Sequence, residues 1–141
     1  MIKHTLFAIT LFITSLTVNA QATAPSETFD ANAPAFKFEQ EVIDYGKIQQ
    51  NSDGNREFVF TNTGSSPLII SNVKGSCGCT VPTKPEEPIM PGATGTIKVK
   101  YATNRIGRFS KTVTITSNAS EPKKVVRIKG EVLKPVVSAS K

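Results

Sequence analysis

From Phe36 to Val132 the apolar residues recur at every second position in short runs broken by Gly, Pro, Asn and Ser, and the roughly 3.6-residue period of an amphipathic helix is absent. Phe36 and Phe38 flank Lys37, and Tyr45 and Ile48 follow in Asp-Tyr-Gly-Lys-Ile. Phe58 and Phe60 alternate with Glu57, Val59 and Thr61 and stop at Asn62-Thr63-Gly64, a turn signal. Leu68-Ile69-Ile70 is short enough and apolar enough for a buried strand that continues to Val73. Ile97, Val99 and Tyr101 alternate with Thr96, Lys98 and Lys100, which gives one face to a core and one to water. Phe109, Val113 and Ile115 repeat the pattern up to Ser117-Asn118, as do Val126, Ile128 and Val132 before Pro135. The pattern predicts an all-β chain, an immunoglobulin-like antiparallel β-sandwich of about seven strands. A true immunoglobulin domain is excluded, because the chain has no Trp and its two cysteines stand too close in sequence to bridge two sheets.

The ends of the chain carry a different pattern. Lys3 opens a basic start, Thr5 to Val18 is largely apolar, and Val18-Asn19-Ala20 offers small residues before a signal-peptidase cut. Residues 1–20 therefore read as a cleaved signal peptide, residues 21–34 as a flexible leader, residues 35–134 as the sandwich and residues 135–141 as a tail. Cleavage removes His4, the sole histidine, and with it any Ser-His-Asp triad or Cys-His pair. Two thiols without imidazole cannot close a structural zinc site, which needs about four ligands. A non-enzymatic chain is expected. Cleavage also takes Lys3 from the 17 basic residues and nothing from the 11 acidic ones, lowering a formal charge of +6 by one. That modest, dispersed charge excludes dedicated nucleic-acid binding. No other apolar run is long enough to span a bilayer, and Gln21 offers no cysteine for a lipid. A periplasmic or extracellular product without a transmembrane anchor is the expectation.

Both cysteines lie in Gly75-Ser76-Cys77-Gly78-Cys79-Thr80. In an extended chain, positions two apart face one side roughly 6.5 Å from each other, and Gly78 lets the backbone bend inward, so the two sulfurs can act together. A disulfide across so short a loop contributes only about 1.6 kcal/mol by chain entropy, against about 3 kcal/mol for a fifteen-residue loop, and poor geometry offsets that gain. Stability explains such a bond badly, and disulfide exchange is one alternative. Two reduced thiolates would instead suit Cu(I), with Met90 as a conceivable third ligand. The plain reading is that cysteine is a small buried hydrophobe and that the turn, with Ser76, Gly78 and Thr80 supporting the pair, merely packs under its neighbours.

Four prolines in Val81–Gly95 bar that segment from a central strand and mark it as a rigid crossover between sheets, or as a wall that recognises a partner. Lys98, Lys100, Arg127 and Lys129 line one solvent face as a basic stripe or simply occupy the wet side of their strands. Asn118-Ala119-Ser120 matches a glycosylation acceptor by pattern only.

Asp44-Tyr45-Gly46, Phe60-Thr61-Asn62-Thr63-Gly64, Pro67-Leu68, Ser76-Cys77-Gly78-Cys79-Thr80, Pro91-Gly92, Gly107-Arg108-Phe109, Thr116-Ser117-Asn118 and Gly130-Glu131-Val132 together resemble the bacterial family of domain of unknown function 1573. The resemblance covers Phe36 to Val132 and implies an exported sandwich similar to modules of ciliary and sperm proteins and to pilus-chaperone domains. It brings no reaction with it. The expected role is a binding or scaffolding module for protein partners, using exposed edge strands. The alternative is a thiol-based carrier that binds Cu(I) or exchanges a disulfide through Cys77 and Cys79.

Overall fold

The computed structural model describes residues 32–135. The expected signal peptide, most of the leader and nearly all of the tail lie outside the described residues. Eight strands follow in order: β1 Phe36–Phe38, β2 Val42–Gln49, β3 Asn55–Asn62, β4 Ile70–Gly75, β5 Thr80–Thr83, β6 Thr94–Tyr101, β7 Gly107–Ser117 and β8 Lys123–Leu133. They form two four-stranded sheets, ordered β1-β3-β6-β5 and β2-β8-β7-β4. No helix is present among the described residues.

The period-two pattern explains the layering. Phe58, Phe60, Ile97, Val99 and Tyr101 point from the first sheet onto Ile43, Tyr45, Phe109, Val113, Ile115, Val126, Ile128 and Val132 of the second, and all are buried. Burying a side chain of this size stabilises the fold by roughly 1.5–3 kcal/mol, so this shared layer is the main force holding the sheets together. Phe36, Phe38, Phe58 and Phe60 cluster at one end, Phe36 stacked on Phe38 and the other pairs edge to face or tilted, while Tyr45, Tyr101 and Phe109 pack toward the other, Tyr101 stacking on Phe109 at 3.8 Å. Gly130 occupies an inward position of β8 beneath these rings. A Cβ there would lie 2.8 Å from Tyr45 and 2.9 Å from the Phe109 ring, so only glycine lets the aromatic pair close over the strand.

The structure departs from the sequence reading in three places. First, β2 pairs with β8 in parallel, so the second sheet is mixed rather than antiparallel. Second, Leu68-Ile69-Ile70 is no fully buried strand: Leu68 forms an isolated bridge to Ile89, Ile70 opens β4, and Ile69 between them is 50% exposed. Third, the Pro-rich segment begins as a strand and joins β5 to β6 within the first sheet, so it is no crossover between sheets. Pro82 lies in β5 at the edge of the first sheet, opposite Val99. Ala102 donates to Cys79 across this ladder, so by alternation Thr80 and Pro82 turn their backbone nitrogens outward, where the missing proline N–H leaves no ladder bond unmade.

Candidate functional site

The two cysteines sit where the chain passes from one sheet to the other. Strand β4 is an edge of the second sheet and β5 an edge of the first, and residues 76–79 make the crossing. Ser76 extends the β4–β7 ladder, its N–H donating to the Thr112 carbonyl at 2.9 Å and its hydroxyl accepting from the Thr112 N–H at 3.1 Å. The Ala102 N–H donates to the Cys79 carbonyl at 2.9 Å and extends the β5–β6 ladder from the other side. Between these anchors the Thr80 N–H donates to the Cys77 carbonyl at 3.2 Å, closing a turn around Gly78. The strands meet closely here, since a Cβ on Gly75 would strike the Thr80 carbonyl oxygen.

Cys77 and Cys79 form a disulfide with a Cα separation of 5.2 Å. The turn, not an extended strand, brings them inside the usual range for such a bond. Cys79 is 4% exposed and belongs to the core, whereas Cys77 is half-buried and packs against it. Thr80 is buried, with its hydroxyl 3.7 Å from the Cys77 sulfur and 3.9 Å from the Cys79 sulfur, and no other side-chain hydrogen bond engages that oxygen among the described residues. Ser76, Cys77, Gly78, Cys79 and Thr80 are thus brought together by the turn. Gly78 has no positive φ and open space where a Cβ would stand, so neither crowding nor a left-handed backbone requires glycine there.

Met90 is not brought to the pair. It is 57% exposed and lies just before Thr94, the start of β6, whereas the cysteines lie beside Tyr101, its end. At about 3.4 Å per residue the strand separates them by roughly 24 Å. A Met90 ligand for a metal held by both sulfurs is therefore corrected. In the disulfide state the pair also carries no thiolate, so soft-metal binding would require prior reduction.

Sequence reasoning missed a second crossing at the Met90 end. Leu68 and Ile89 exchange backbone hydrogen bonds, both 2.9 Å, and so tie the lead-in to β4 to the segment between β5 and β6. Asn62, fully buried at the end of β3, organises this region with four side-chain hydrogen bonds: Oδ1 accepts from Ala35 at 3.3 Å and Gly64 at 3.0 Å, and Nδ2 donates to the Ser66 carbonyl at 2.8 Å and the Ile89 carbonyl at 2.9 Å. Asn118 clamps the neighbouring chain, accepting from Ile69 at 2.7 Å and donating to the Pro67 carbonyl at 3.0 Å. Asn62 lies in a motif read as a turn, and Asn118 where a strand pattern stops. An asparagine followed two residues later by glycine was the available signal for Asn62, but nothing local marks it as buried.

The outer faces are charged. Lys98 and Lys100 lie on β6 of the first sheet and Arg127 and Lys129 on β8 of the second, so they occupy opposite outer faces and form no single stripe. An open hollow of roughly 620 Å³ on the second sheet is lined by Asp44, Lys47, Arg108, Ser110, Lys129 and Glu131. Lys129 pairs with Asp44 at 3.2 Å and Arg108 with Glu131 at 3.8 Å across it. The Asp44 carboxyl is held below its ordinary range by the Gly46 N–H and by Lys129. At the lower end of the core, burial pushes Tyr45 up to about 12 although Arg56 stacks 4.5 Å over its ring, and the phenol donates to the Gly54 carbonyl at 2.9 Å.

A family model described as "Protein of unknown function (DUF1573)" matches residues 36–132. The chain belongs to this family. No curated protein matches it. Among solved structures, a protein of unknown function from Porphyromonas gingivalis W83 is similar with a TM-score of 0.64 and 14% identity, over 76% of this chain and 51% of that one. The CsuC–CsuE chaperone–tip adhesion subunit complex of Acinetobacter baumannii gives 0.54 and 12%, over 70% of this chain and 52% of that one. The ASH/PapD-like domain 7 of human CEP192 gives 0.53 and 9%, over 89% of this chain and 99% of that domain. The DUF1573 chain therefore spans about half of the first two, and at these identities the likeness establishes the immunoglobulin-like or PapD-like fold alone.

Proposed function

We propose that this DUF1573 chain is an exported, non-enzymatic binding or scaffolding module of the cell envelope, which takes an extended segment of a protein partner along the edge of β2 that no strand pairs among the described residues. The carrying observation is the state of that edge. The Glu41 carbonyl accepts from Arg127 and the Gln50 N–H donates to Leu133, so alternation turns the backbone groups of Val42, Asp44 and Lys47 away from β8. Unpaired backbone groups at a sheet rim are a template for an added strand, and exposed Val42 supplies an apolar contact beside them. The proposed address, periplasmic or extracellular, rests on the apolar N-terminal segment of the sequence. The test is retention of envelope proteins by the domain and by Val42→Pro, which removes one outward N–H and leaves the bonds to β8 in place. Retention falling about tenfold in a folded Val42→Pro variant supports the reading. Equal retention, or none above background for the parent across several growth conditions, refutes it.

The half-exposed sulfur bond at the sheet crossing favours a second reading, thiol chemistry at Cys77 and Cys79, either as disulfide exchange or as Cu(I) carriage after reduction. Thiol counting by mass spectrometry on protein taken from its native compartment separates the oxidised, reduced and metallated states. Competition with a Cu(I) chelator tests the carrier directly: a Cys77→Ser, Cys79→Ser variant that holds copper as well as the parent removes it.

A further inference from the structure

The hydroxyl of Thr80 has an unusual station. Its residue is 3% exposed and its only side-chain partners among the described residues are the two sulfurs, at 3.7 and 3.9 Å. A disulfide sulfur is a weak acceptor, so this buried donor is underused while the bond is intact. A thiolate in the same place is a full anion and takes a charge-assisted hydrogen bond from it. The sulfurs also differ in access, with Cys79 inside the core and Cys77 at its margin. An incoming thiolate reaches Cys77 first, and the sulfur left behind is the one enclosed with Thr80. The backbone bonds that make the crossing, from Thr80 to Cys77 and from Ala102 to Cys79, involve neither sulfur and hold the turn when the bond opens.

We infer that Cys77–Cys79 is a directional thiol–disulfide exchange site for a protein dithiol, with Cys77 as the attacked sulfur, Cys79 as the leaving sulfur and Thr80 as the donor that steadies the departing thiolate. This rests on the second reading above. In the first step a partner thiolate forms a bond to the Cys77 sulfur, the bond between Cys77 and Cys79 breaks, and its electron pair leaves on Cys79. In the second, the partner's other thiolate attacks its own sulfur in the mixed disulfide, forming the partner's disulfide and releasing Cys77 as a thiolate. The partner dithiol has then lost two electrons, the cysteine pair has gained them, and the thiolates take up protons from solvent according to pH.

The folded protein is treated with reduced glutathione, quenched in acid, alkylated with N-ethylmaleimide and mapped by mass spectrometry. Glutathione on Cys77 with alkylation on Cys79 is expected, and glutathione chiefly on Cys79 overturns the direction. Thr80→Val keeps the shape and loses the hydroxyl. It should slow opening about tenfold and shift the pair toward disulfide in a glutathione buffer, with Thr80→Ser restoring both. A folded Thr80→Val variant that opens as fast as the parent overturns the role of Thr80. A pair that resists glutathione at every ratio tested in the native protein removes the second reading as well as this inference, whereas glutathione on the wrong sulfur removes the inference alone.

Discussion

The chain closes one flank of its sandwich twice, by two different chemistries. At one end Leu68 and Ile89 bridge the sheets and Asn62 satisfies all its amide capacity within that corner. At the other, residues 76–79 cross under a disulfide. The first closure consists of many weak bonds around one buried side chain and opens only when the corner unfolds. The second contains a single covalent bond that a thiol can break while the backbone bonds on either side persist. The difference separates a stabilising corner from a reactive one, although both do the same topological work.

The strongest way to break that comparison is Asn62→Ala. The substitution takes the side-chain partner from the Ala35 and Gly64 N–H groups and the Ser66 carbonyl, while the Ile89 carbonyl keeps the Leu68 N–H, and should cost about 3–5 kcal/mol in urea unfolding. A loss below about 1 kcal/mol would mean that the corner is held by something else.

Alkali probes the end of the core that holds Tyr45, Tyr101 and Phe109. Tyr45 is raised from 10.0 to about 12 by burial, so the folded state keeps a proton that the unfolded state gives up. The contribution is intact below pH 10 and is lost progressively between pH 10 and about 12, by roughly 2 kcal/mol, and Tyr45→Phe should flatten that part of the stability profile. Urea midpoints across this range, for parent and variant, check it.

Removing the covalent closure should cost less than removing the amide corner. Cys77→Ala with Cys79→Ala is expected to lower stability by about 1–2 kcal/mol, with an unchanged far-ultraviolet circular dichroism spectrum. Collapse of the fold in this variant would make the sulfur bond the main staple and reverse the comparison. The smallest effect belongs to Asn118→Ala. Asn118 is exposed and water can replace part of its clamp on Pro67 and Ile69, so about 1 kcal/mol is expected by the same measurement.

The layered core was legible because burial on one face imposes a period of two, as at Phe58 and Phe60, at Ile97, Val99 and Tyr101, and at Val126, Ile128 and Val132. Strand β5 was hidden by Pro82, whose missing N–H is harmless only at an edge, and the position of the edge is a tertiary fact. The parallel pairing of β2 with β8 leaves no local trace, because it joins the two ends of the domain. The sulfur turn was visible from spacing, but Thr80 was read as mere support, since its hydroxyl gains meaning only once both sulfurs are placed around it. Met90 was attached to the pair by donor chemistry, and the run of β6 carries it away.

The union of the second strand with the last also bears on how the molecule is made. A polypeptide emerging amino-terminus first, from a ribosome or through a pore, holds β2 without its neighbour until β8 has come through. Completion of the second sheet then waits for β8, and any truncation before Lys123 would strand β2 and expose the aromatic layer to aggregation.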